Sequence, residues 1–191
     1  MSHLIVFSRY SVSMQLICDI NKQFIMASSG FCGSSHDSYC FQQMWISQSP
    51  NNFFEIGQYL LADSAYASGT YIVPEYWGQA LQSDSDNQKF NFFLSQSRVQ
   101  IENSIGILKG RWSSLHEMWH QIKDQCSFQE LVDWAISCVI LHNMLAKIGD
   151  GWADLYEENS DTIPDPYILD TSLISNNSTR ELIKPFTLNR H

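Results

Sequence analysis

Hydrophobic and polar positions alternate from Tyr10 to Cys18 (YSVSMQLIC) in a stretch rich in β-forming residues. Asp19-Ile20-Asn21-Lys22 then supplies turn chemistry, and Phe24 to Ser28 forms a second short run. The pattern predicts a β-hairpin. Gly30 to Ser35 reads as a Gly/Ser loop, and Ser35 or Asp37 can cap a helix through about Trp45 before Pro50-Asn51-Asn52 breaks the chain. Tyr59-Leu60-Leu61-Ala62 is a continuous apolar run that ends at Asp63. Such a run fits a strand covered on both faces, and functional sites of open α/β sheets form at that end of the strands. The polar stretch from Tyr76 to Asn91 reads as loop. Val99, Ile101, Ile105 and Leu108 give helical periodicity up to a stop at Gly110. Ser127-Phe128-Gln129-Glu130 has the form of a capping box. It opens an apolar helix through Leu131, Trp134, Ala135, Cys138, Leu141 and Leu145 that stops at Gly149. No internal repeat is visible.

The division that follows is a folded region over 8–149 and a tail over 150–191. The tail is acidic, contains Pro164, Pro166 and an Asn/Ser cluster, and predicts a mostly disordered extension suited to a protein partner. The 191 residues suffice for one ordinary domain, and a hydrophobic content of 44% supports a packed core. A net charge of -9 counts against a surface that grips nucleic acid everywhere, since phosphate contact rests on Lys and Arg. It leaves room for a local basic strip and for a carboxylate site that takes metal. Five cysteines without a CxxC pair point to a reduced, intracellular protein. Leu131 to Ala146 falls short of the ~20 residues that span a bilayer, so it reads as a core helix, with no membrane association expected.

Three groups of residues have the chemistry of a site. The first is Asp63 with Glu102. Two-metal nucleases need carboxylates on rigid supports, and Mg²⁺ or Mn²⁺ prefers oxygen ligands. Arg98, Glu102, Gly106 and Lys109 fall on roughly one helical face, so Arg98 and Lys109 could contact phosphates beside the ions. The same spacing fits an ordinary surface helix with an Arg-to-Glu pair. The second group, His116-Glu117-Met118-Trp119-His120, matches the HExxH zinc pattern but lacks a marked third ligand, and its Trp112, Leu115, Trp119 and Ile122 stripe fits a core-facing segment. The third, Cys32, His36 and Cys40, has no evident fourth ligand, and buried or partly buried free thiols are the commoner case. His142, on the apolar helix, reads as a core histidine with a backbone partner.

Leu60-Leu61-Ala62-Asp63-Ser64-Ala65-Tyr66 resembles the second-aspartate motif of Harbinger-type DDE transposases and their domesticated nuclease relatives. The stretch from Ser97 to Trp112 (SRVQIENSIGILKGRW) resembles that family's catalytic-glutamate helix. Gly33-Ser34-Ser35-His36-Asp37-Ser38 is similar to its glycine–serine–His-Asp segment, and Ile140-Leu141-His142-Asn143 to the Leu-His-Asn of its last helix. The resemblance runs from about Tyr10 to Ile148 in the family's order. It implies an α/β, RNase H-like mixed sheet flanked by helices, with Asp63 and Glu102 as metal ligands for Mg²⁺ or Mn²⁺. It also implies DNA as partner, contacted by Arg98, Lys109 and Arg111, and a nuclear location. The family's first Asp lies in an Asp-Gly-Thr-like motif on the first, central strand, upstream of the hairpin. No such motif occurs here, and the helical DNA-binding region of full-length transposases has no counterpart. The expectation is therefore a truncated domain lacking that first strand, with exposed edges on the hairpin and weak or no cleavage. A cap or neighbouring role suits Asp37 better than replacement of the missing ligand.

Overall fold

The computed structural model describes residues 2–7, 10–19, 21–55, 57–116, 122–149, 151, 180, 181, 183 and 184. It divides into two compact units. The first combines Met1–Phe41 with Gln100–Ser160, and the second combines Gln42–Val99 with Asp161–His191.

In the first unit the alternating segment becomes the middle strand of an antiparallel sheet. Strand β1 (Ser2–Phe7) pairs with β2 (Tyr10–Cys18), which pairs with β3 (Phe24–Cys32). The period of two sends Val12, Met14 and Leu16 into a core shared with Ile101, Ile105, Leu108 and Leu115 and with Leu131, Ala135, Cys138 and Val139. The opposite face of β2 is buried too: Ser13 and Gln15 are covered, and Gln15 Nε2 donates to Asp37 Oδ1 at 3.4 Å. The hairpin turn follows from Asp19, whose Oδ1 accepts the N–H groups of Asn21 and Gln23, both at 2.9 Å.

Two expectations for this unit need correction. The hairpin was to have an open edge where the first strand is missing, yet β1 pairs with β2 over Ser2↔Gln15 to Phe7↔Tyr10. The apolar Leu4-Ile5-Val6-Phe7 run has strand character, and a connection of two residues suffices for an antiparallel pair. β3 also runs on through Cys32 rather than ending at Ser28. Gly30 permits this, because its φ of +107° lies in a region that side chains disfavour.

Helix α1 (Asp37–Gln42) begins as expected but stops early; a separate turn, α2 (Trp45–Gln48), follows in the second unit. The second unit's sheet is a parallel pair, β4 (Leu60–Ala62) with β5 (Ile72–Pro74). The stretch read as loop from Tyr76 to Asn91 instead contains α3 (Gly78–Ser83) and the first turns of α4 (Ser85–Arg111). Its polar composition conceals a stripe at helical spacing: Asn87, Phe90 and Leu94 are all buried. Asn91, on the same helix, holds the chain just beyond β5 by both backbone groups of one residue. Its Oδ1 accepts the N–H of Tyr76, the second residue after β5, and its Nδ2 donates to Tyr76 O, each at 2.8 Å.

Part of the predicted disordered tail is ordered against this unit. Ile183 is 3% exposed in a cluster with Val73, Tyr76, Phe90 and Leu94. Around it Tyr76 Oη donates to Glu181 at 2.6 Å, the Arg180 guanidinium lies 4.0 Å over the Tyr76 ring, and Lys184 reaches Asp84 at 2.6 Å. Leu182-Ile183, a pair of apolar residues flanked by charges, is too short to give a periodicity. The rest of the tail lies outside the described residues.

Helix α5 (Gln125–Ile148) completes the first unit. The expected box at Ser127 opens three residues earlier: Ser127 N–H donates to Asp124 Oδ1 at 2.8 Å, and Asp124 N–H donates to Ser127 Oγ at 3.1 Å. Ser127 thus answers the cap rather than being it. Gly149, with φ of +77°, ends the helix as expected. At 24 residues α5 is long and apolar enough to cross a membrane by length and composition, contrary to the shorter span read from Leu131 to Ala146. One of its faces nevertheless packs in the first unit's core.

Candidate active site

Asp63 follows β4 directly, half-buried, in the second unit. Its Oδ1 accepts Ala65 N–H at 2.8 Å, and its carbonyl accepts Tyr66 N–H at 3.3 Å. This Asx turn ties the carboxylate's orientation to the strand end. Tyr66, buried two residues beyond Ser64, anchors the turn.

Glu102 lies in α4 in the first unit, exposed, with the buried Ile101 and Ile105 on the helix's core side. Among the described residues no hydrogen bond or ion pair to its carboxylate is found. It does not pair with Arg98, four residues before it. Arg98 Nη1 instead donates to Glu75, and the two side chains are 15% and 23% exposed. The Arg-to-Glu pair open from spacing alone is therefore formed with a residue just after β5, for which the sequence offered no signal.

The other two expected DNA contacts differ from each other. Arg111 Nη1 lies 2.9 Å from His142 Nδ1 and donates to His142 O at 3.4 Å. Lys109 is half-buried and has no hydrogen bond or ion pair among the described residues. Two of the three cations are thus committed within the protein.

The Leu-His-Asn segment has a structural explanation. His142 is 1% exposed, and its Nε2 lies 3.0 Å from Lys22 O. A carbonyl only accepts and a guanidinium only donates, so His142 is neutral with its proton on Nε2. Asn143 Oδ1 accepts Phe24 N–H at 2.9 Å, and its Nδ2 donates to Phe24 O at 2.7 Å. Together they fasten α5 to the turn between β2 and β3. Asn143 thus treats Phe24 as Asn91 treats Tyr76.

Among the described residues no three His, Cys, Asp or Glu side chains converge as a metal site. Cys32 and His36 are exposed while Cys40 is buried, so that trio does not gather either. His116 sits exposed at the end of a 3-10 turn over Ser113–Leu115, and the rest of the HExxH pattern lies outside the described residues.

The thiols separate by environment. Burial raises Cys18 and Cys138 from 9.0 to about 11, and burial also raises Cys40, whereas Cys32 and Cys126 are exposed. A thiol reagent at neutral pH is expected to modify Cys32 and Cys126 first and the other three only on unfolding; simultaneous reaction of all five would contradict these burials. Raised folded values stabilise the fold fully below pH 9, and that contribution is lost as pH climbs from 9 through about 11. The urea midpoint is expected to fall across that window.

The family model described as "DDE superfamily endonuclease" matches residues 7–143. No curated protein and no solved structure matches the chain.

Proposed function

The chain belongs to the DDE superfamily endonucleases, and from that membership we propose a transposase-derived nuclease domain of Harbinger type that works on DNA with Mg²⁺ or Mn²⁺ and in the nucleus. Asp63 and Glu102 are its metal carboxylates, on an RNase H-like framework. The motifs around them, in family order, support that assignment. Asp63 and Glu102 would hold the ions, which would supply Lewis-acid chemistry for phosphodiester cleavage. The 191 residues by themselves hold metal weakly and cut feebly or not at all.

The observation that carries the weak reading is the strand before the hairpin. The family's first Asp belongs on a strand upstream of the hairpin, and β1, antiparallel to β2, reads Ser-His-Leu-Ile-Val-Phe, without a carboxylate. Two ligands underfill sites that need three or more. Lys109 is the cation best suited to phosphate, because Arg98 and Arg111 already serve internal partners. The acidic stretch after Asp150 suits a basic protein partner.

The test is incubation of the purified chain with supercoiled DNA and Mg²⁺ or Mn²⁺. The expected result is no nicking above the metal-only background. Nicking that disappears with Glu102→Ala would overturn the weak reading while supporting the assignment of Glu102. A second reading, a non-catalytic binding module, is favoured by the internal use of Arg98 and Arg111. It expects DNA affinity that is low, salt-sensitive and reduced by Lys109→Glu.

A further inference from the structure

One face of α5 packs in the core, and the other is apolar and open. Trp134 is 42% exposed, Leu141 43%, Met144 55% and Ile148 77%, with the exposed Ser137 completing the row. These five positions are spaced three, four, three and four, which is the seam of a coiled coil over two heptads. Beside the seam run Asp133, Ile140 and Lys147, each seven residues apart and each exposed. We infer that this face pairs with the same face of a second copy of the chain, antiparallel, about a two-fold axis at Ile140.

The charges select that occupant and that direction. Asp133 and Lys147 are equidistant from Ile140 and opposite in sign. A two-fold axis there brings Asp133 of one copy to Lys147 of the other, twice, while Ile140 meets its own counterpart. The seam layers centre about one residue from that point, so that Trp134 packs against Met144 and the small Ser137 faces Leu141. A parallel pair would instead set the flanking charges towards positions such as Cys138, which is fully buried. The polar anchors on the packed face, His142 and Asn143, tie α5 to its own unit and disfavour a lipid environment for the whole helix. The open apolar side chains leave on the order of 500 Å² per copy, so two copies reach about the 1,000 Å² a specific interface needs. That marginal size implies a weak, concentration-dependent dimer.

Sedimentation equilibrium of the full chain tests this. The mass is expected to rise from 22.0 kDa towards twice that value as concentration climbs into the hundreds of micromolar. Leu141→Asp should hold the chain monomeric with an unchanged circular dichroism spectrum and urea midpoint. Asp133→Lys should weaken the dimer several-fold, and Asp133→Lys with Lys147→Asp should restore it. Ile140→Cys, with Cys32 and Cys126 changed to Ser, should form a symmetric disulfide with oxidised glutathione. A monomer at every concentration overturns the proposal. So does a dimer indifferent to Leu141→Asp, a double exchange that restores nothing, or a monomer whose stability drops with Leu141→Asp, which would mean the chain covers this face itself.

Discussion

His142→Leu is expected to lower stability by about 3–4 kcal/mol, read as a fall in the urea midpoint without a change in slope. Leucine keeps the volume but removes two roles. Nε2–H no longer serves the carbonyl of Lys22, and Nδ1 no longer accepts from Arg111. The arginine loss is the larger, since a charged donor in a partly buried position loses its ring acceptor. The double variant Arg111→Met with His142→Leu should recover part of the loss, because removing both members leaves no stranded charge. A single variant as stable as the parent would mean that His142 merely fills space. The same experiment explains a motif that family resemblance alone leaves uninterpreted: Leu-His-Asn fastens α5 to the hairpin.

Arg98→Ala is expected to cost about 3 kcal/mol of stability, because it removes the guanidinium paired with the largely buried Glu75 carboxylate. If Arg98 instead served phosphate, the change would lower DNA affinity and its salt dependence while leaving the urea midpoint alone. Glu75→Ala sharpens the distinction. It should destabilise by a similar amount, although a phosphate-binding arginine would gain freedom from losing a carboxylate neighbour. Glu75→Ala with Arg98→Met should again be milder than either charged remnant. Equal stability of the parent and both single variants would return Arg98 to the DNA surface.

These two residues mark where the sequence was and was not legible. Periodicities of two and 3.6 located β2, the second half of α4 and α5, because each has one or two faces buried in a core. Asp63 at the end of an apolar run and Gly149 as a stop were legible for similarly local reasons. β5 escaped because three residues in a parallel pair leave no period to detect, and their partner is distant in sequence. The first turns of α4 escaped because Asn87, Phe90 and Leu94 are a thin buried stripe in a polar stretch. The cap of α5 was misplaced because Asp124 and Ser127 both suit the role, and only the observed bonds separate them. Arg98 shows the limit for sites: its helical neighbours named Glu102 as the partner, whereas packing supplied Glu75. Ile183 shows the limit for tails, since a buried side chain lies in a stretch that composition marks as unstructured.

Asp63 and Glu102, proposed as the metal carboxylates, are expected to underfill the site on their own. Titration of the isotopically labelled chain with Mn²⁺, followed by paramagnetic broadening of its amide resonances, tests it directly. The expected result is broadening centred on Asp63 and Glu102 that saturates only at millimolar ion and is lost at each position in Asp63→Asn and Glu102→Gln. Saturation at micromolar ion, or broadening confined to other acidic residues such as Asp86 and Asp133, would contradict it.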